Sequence, residues 1–265
     1  MVALPVFGTR LVSLAGLRGL DVGSLAQRAS VPEADVEALV GGARPESSLL
    51  RQLAPALGVH ASDLFVIGGL PVPEDLAPLD AEAGDRMTSL AWSLIHLPGA
   101  VSDLHGLIRS MPQMPRPQPP APPPAYQLYP AGSGGLILRM LHNRNLGWSA
   151  SARYLFGIGG FGMLSASTIG LIGRGEKELT PGLLAGFGAF LDIAARDLAA
   201  VTGIDFPDDP TSQHPDSAAV ARLIWDARRL TGGQLDQVQT RAHAIQHERA
   251  DSLEPGLRCR CPGIS

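Results

Sequence analysis

The run Leu164-Ser165-Ala166-Ser167-Thr168-Ile169 places three hydroxyl side chains at the start of a candidate helix, and Gly173-Arg174-Gly175-Glu176-Lys177 closes it. A serine just before a helix can satisfy one of its free N–H groups. Hydroxyls on the outer face of the first turn can hydrogen-bond the base edges of a major groove. Ser165 is the expected N-cap and also a candidate DNA contact. Ser167 and Thr168 are the expected groove contacts, and Arg174 and Lys177 the cations that would settle on phosphates. Arg144 and Arg153, with Arg139, are candidate backbone contacts upstream. No carboxylate occurs between Gly157 and Gly175. The chemistry in view is recognition of a polyanion rather than bond breaking. A local reading competes: serine and threonine as helix caps, Arg174 paired with Glu178, and the arginines on a solvated helix face.

Other constellations carry less. The glycine run Gly157 to Gly162 lacks the Gly-Lys-Ser/Thr ending of a phosphate loop and follows no βαβ pattern, so it reads as a widened turn. His243 and His247 share one helix face at i, i+4, and Cys259 and Cys261 follow. One residue between the cysteines is too few for the familiar structural zinc spacings, and surface histidines are the expected reading. Asp208-Asp209 and Glu176/Glu178 stand in linker or capping contexts. No nucleophile elbow, metalloprotease helix or kinase set occurs, so neither an enzyme nor a cofactor nor a metal is expected.

The elements that would position these residues occur twice. In 1–70, Leu11, Leu14 and Leu17 make one helix face, Asp21 caps a second helix carrying Leu25-Ala26, and Ser30-Val31-Pro32 forms the turn, with Pro32 opening a third. Val36 and Leu39 face inward and Gly41-Gly42 stops that helix. Leu49, Leu50, Leu53, Leu57 and Val59 build a fourth, and Leu64-Phe65 closes the core. In 133–204 the same order recurs: Leu138, Leu141 and Leu146, then Trp148, Ala152, Leu155 and Phe156, then Ile169 and Ile172.

The first stretch resembles the phage-repressor-like (XRE-type) helix-turn-helix family at Gly8, Leu25-Ala26, Val31, Val36, Gly42, Arg44-Pro45, Leu53, Leu57-Gly58-Val59 and Leu64-Phe65. The second resembles it over a shorter stretch, with a loop insertion. The resemblance implies an all-α fold with two lambda-repressor-like five-helix DNA-binding domains plus helical extensions. It also implies a bacterial transcriptional regulator whose third helix enters the major groove of double-stranded DNA. The first copy departs from the pattern. Asp21-Val22 stands where the family often has Thr-Gln, and Glu33, Asp35 and Glu37 line its third helix. Carboxylates there would oppose phosphates, so the first unit is expected to make protein contacts and the second to read. The alternative is an adaptor that keeps the fold without sequence-specific DNA binding.

The remaining segments frame these two units. A helical extension in 71–110 carries Leu90, Leu94 and Leu97, then Val101, Leu104 and Ile108, broken at Pro98-Gly99. It is expected to pack on the first unit or to pair with a second chain as a homodimer. The proline-rich stretch 111–132 reads as a semi-rigid spacer, with docking of a protein partner as the lesser reading. A helical hairpin follows in 217–250, with Val220, Leu223, Ile224, Leu230, Leu235, Val238, Ala242 and Ile245 on one stripe and a Thr231…Gln234 capping box. The tail, 251–265, follows and is expected to be disordered from Glu254. The net charge of −4 argues against coating nucleic acid over a whole surface and leaves room for a local basic patch. Residues 131–204 hold 6 basic and 4 acidic side chains, against 5 and 6 in 1–70. With no signal peptide or membrane span visible, a cytoplasmic location is expected.

Overall fold

The computed structural model describes residues 6–97, 99–117, 128–206 and 215–253, and all regular elements among them are helical. The first five helices are α1 (Phe7–Gly16), α2 (Val22–Ala29), α3 (Glu33–Val40), α4 (Ser47–Ala56) and α5 (Ala61–Ile67). The extension forms α6 (Gly84–His96) and α7 (Val101–Ser110). The second set is α8 (Ser133–His142), α9 (Trp148–Gly157), α10 (Ala166–Arg174), α11 (Pro181–Leu191) and α12 (Ala195–Thr202). The chain closes on α13 (Ser217–Ala227) and α14 (Gly232–Leu253).

Local chemistry starts these helices where the residue types require. Asp21 accepts from the Ser24 N–H at 2.7 Å, and Ser165 accepts from the Thr168 N–H at 3.2 Å. At Thr231 the capping box is reciprocal: the Thr231 N–H donates to Gln234 Oε1 at 3.0 Å, and the Gln234 N–H to Thr231 Oγ1 at 3.4 Å. Between α2 and α3 the chain turns through Ser30 in the left-handed region, with the Val31 N–H on Ala26 O. Pro32 is the residue before α3 rather than its first helical position. The apolar stripes are buried with these exceptions: Leu49, Val59 and Trp148 are half-buried, Leu17 is 48% exposed beyond the end of α1, and Phe156 is 43% exposed on α9.

Packing between the halves is reciprocal. α1 lies on α12, and α8, the counterpart of α1, lies on α5, the counterpart of α12. α6 packs on α14 while α7 packs on α13. Exchanging the halves turns each of these contacts into its mate, whereas the packing of α6 on α9 and of α13 on α11 has no comparable mate. Two arginine–aspartate bridges obey the same exchange. Just after α1, Arg18 donates from Nη1 to Asp197 Oδ1 at 3.1 Å and from Nη2 to Oδ2 at 2.8 Å. Just after α8, Arg144 donates in the same way to Asp63 Oδ1 at 2.9 Å and Oδ2 at 2.8 Å. Each arginine also bonds back to the carbonyl four residues earlier, Leu14 and Met140. Gly8 and Gly134 are a matching pair too, letting α1 and α8 approach the C-terminal ends of α3 and α10; a Cβ at Gly8 would lie 2.6 Å from Val40 O, and one at Gly134 would collide with Ile172 O.

The extension departs from expectation. α6 covers α9 of the second unit and α14, rather than folding back on the first unit, and it buries Met87, Leu90, Ala91 and Leu94 there. Each large apolar side chain so buried contributes about 1.5–3 kcal/mol, enough to prefer this partner over solvent. The start of the proline-rich stretch is tied down: Arg116 donates to Pro78 O at 2.6 Å and to Leu79 O at 2.9 Å, and Gln234 donates to Pro112 O at 2.9 Å. Residues 118–127 and the tail with Cys259 and Cys261 lie outside the described residues.

Candidate nucleic-acid interface

α10 is held by two aromatic rings on glycines. The Trp148 ring, at the start of α9, lies where a Cβ on Gly170 would come within 2.8 Å, and the Tyr129 ring lies 2.6 Å from the corresponding position at Gly173. Trp148 Nε1 donates to Tyr129 Oη at 2.6 Å, joining the two rings into one clamp. Ile169 and Ile172 face the core from the same helix. Opposite that anchored face, the first turn is open. Ser165 and Ser167 are exposed and Thr168 is half-buried. Ser165 Oγ lies 2.8 Å from Ser167 Oγ and 2.9 Å from Thr168 Oγ1. The structure thus brings these three predicted residues into one hydrogen-bonded group at a helix N-terminus.

The predicted cations fare differently. Arg144 does not belong to this surface: its side chain and that of Asp63 have 0% exposure. Its Nη1 and Nη2 also donate to Met140 O and Leu191 O, its Nε is buried without a hydrogen-bond partner, and Asn143 Nδ2 joins on Asp63 Oδ1 at 2.9 Å. A guanidinium with no surface cannot reach a phosphate, so its expected role as a backbone contact is corrected to that of an internal bolt. Arg139 is half-buried and donates to Tyr129 O at 3.1 Å. Arg153 is exposed but leans on α6, 5.5 Å from the centre of the Trp92 ring and 3.2 Å from Thr88 O. Arg174 pairs at 2.7 Å with Glu176, not with Glu178. Lys177 is exposed, at the rim of a cavity of about 530 Å³ that Glu178 and the first turn of α8 also line.

The loop joining α9 to α10 adds an unforeseen feature. Phe156, at the end of α9, is 43% and Met163, in the loop, 70% exposed, with Phe161 and Leu164 of the loop partly covered. On the equivalent helix of the first unit, α3 exposes Glu33, Asp35 and Glu37 around the buried Val36 and Leu39.

A second cluster lies where the two units meet the C-terminal hairpin. The His60 ring stacks on Trp225 with centroids 3.4 Å apart and planes 8° from parallel, and the Arg228 guanidinium lies 3.8 Å from the same indole centre. Burial pushes the His60 imidazole down to about 4; Asp63 opposes that fall, while Arg144 and Arg228 add to it. Burial likewise lowers Arg228 to about 10. His105 and Asp226 pair at 2.8 Å on one side.

Comparison with protein-family models, curated proteins and solved structures gives no match to this chain. Among the described residues no group of three or more His, Cys, Asp or Glu could hold a metal, and no helix is long and apolar enough to cross a membrane. His243 is engaged by Gln239 at 2.8 Å.

Proposed function

We propose that the chain is a DNA-binding regulator in which two lambda-repressor-like, XRE-type helix-turn-helix units are joined in one chain and α10 of the second is the reading helix. The observation that carries this reading is the open first turn of α10. There Ser165, Ser167 and Thr168 present hydroxyls beside a helix N-terminus, whose partial positive charge favours a phosphate. Arg174 and Lys177 flank the other end; Arg174, 5.9 Å from the centre of the Trp148 ring, would exchange Glu176 for a phosphate to take part. Selection of genomic fragments by the full chain at fixed salt tests it, beside the double variant Ser167→Glu, Lys177→Glu. Enrichment of a shared motif that the variant loses is the expected result. Enrichment unaffected by the variant would move the reading surface elsewhere.

A protein-interaction adaptor is the second reading. It is favoured by the loss of Arg144 to the interior, the engagement of Arg153 by α6 and the acidic face of α3. Absence of any enriched fragment would favour it.

A further inference from the structure

We infer that the first unit is a built-in partner subunit for the second, so that a single copy of the chain engages DNA and reads one non-palindromic half-site through α10. This rests on the DNA reading proposed above. Two-fold repressors read palindromes because two identical subunits present identical helices, and the operator mirrors the symmetry of the protein. Here the reciprocal packing is present within one chain. The α1–α12 and α8–α5 contacts exchange, as do the α6–α14 and α7–α13 contacts, and Arg18–Asp197 exchanges with Arg144–Asp63. These surfaces are spent internally. Arg144 and Asp63 have 0% exposure, and the apolar faces of α6, α7 and α13 are buried against one another or against the two units. A second copy would have to displace an intramolecular partner whose local concentration is fixed by the connecting chain.

The equivalence is not complete: α6 packs on α9 and α13 on α11 without comparable mates, and the reading helices differ in chemistry. α10 exposes hydroxyls at its first turn, whereas α3 exposes Glu33 and Asp35 there, with Glu37 one turn on. Three carboxylates facing phosphates would be repelled, so the first unit completes the pairing without reading. The bridging residues Arg18, Asp63, Arg144 and Asp197 are then positioning residues: they hold α10 through the body that carries it.

Sedimentation equilibrium of the full chain, alone and with a duplex recovered by selection from random sequence, tests this. A free mass of one chain, 27.7 kDa, is expected, with one chain per duplex and a selected motif lacking inverted symmetry. Two chains on a palindromic motif would overturn the inference. So would one chain on an inverted repeat, since α3 would then be reading. If no motif is enriched, the DNA reading itself fails. The free mass then decides the pairing alone: a monomer upholds the built-in partner and a dimer overturns it.

Discussion

Replacing Asp63 by alanine should be far more damaging than the same change at Asp197, although the two aspartates do equivalent jobs. At the inner bridge both side chains have 0% exposure, and Asp63 accepts from Arg144 twice and from Asn143 once. Its removal strands a guanidinium that no water reaches, and breaking a buried pair from one side costs about 3–5 kcal/mol. At the outer bridge the side chains of Arg18 and Asp197 retain 20% and 14% exposure. Solvent can replace the lost carboxylate there, so Asp197→Ala should cost about 1–2 kcal/mol. In a chain of this length the inner variant should melt roughly 6–20 °C lower. Urea unfolding followed by tryptophan fluorescence is a suitable assay, because the Trp225 indole centre lies 5.1 Å from the Arg144 guanidinium and senses the inner bridge directly. Asp63→Ala should also split the transition in two, as the units part before they unfold. The paired change Asp63→Leu, Arg144→Met should recover most of the loss, since an apolar pair of similar volume leaves no charge stranded. Equal costs at Asp63 and Asp197, or a double variant no better than the single, would refute the argument from burial.

Other expectations are narrower. If α10 reads DNA with only Arg174 and Lys177 on phosphates, the plot of log affinity against log salt should have a slope of about −2; a slope of −6 or steeper would mean that a larger basic surface is in play. Stability should decline as the pH falls from about 6.5 toward 4, because His60 gains a proton in the unfolded chain before it can in the fold. The contribution should be about 1–2 kcal/mol after screening at a partly exposed ring, and His60→Asn should shrink the decline. Gly170→Ala should displace the Trp148 ring and cost about 1–3 kcal/mol, read as a lower urea midpoint together with altered tryptophan emission. Ser165→Ala should cost about 1 kcal/mol through the lost cap, measured in the same unfolding assay.

Much of the helical framework was legible in the residues themselves. Asp21, Ser165 and the Thr231–Gln234 box cap the helices expected of them, because capping is settled within three residues of chain. The stripes of the extension and the hairpin are buried as their spacing predicts. The fate of the arginines was not legible. Arg144 meets an aspartate 81 positions away, and helical periodicity says nothing of which distant carboxylate a flank will find. A signal did exist: an arginine follows the first helix of both copies, and an aspartate is the third residue of both fifth helices. Aligning the copies on each other, rather than on an outside pattern, brings it out. Arg153 was unreadable for another reason, since the Trp92 that draws it in lies on an extension expected to pack elsewhere. Ser167 and Thr168 were easy to place because a helix start fixes them locally.

The pairing of α6 with α9 and α14 sets a timetable for synthesis. Its apolar face of Met87, Leu90, Ala91 and Leu94 is finished when His96 leaves the ribosome, yet its last partner ends only at Leu253. At about 5–20 residues per second that face waits roughly 8–30 s without its full cover. The nascent first half therefore carries an incompletely covered oily helix face through that interval. A slower rate of elongation would lengthen the wait without altering the finished molecule.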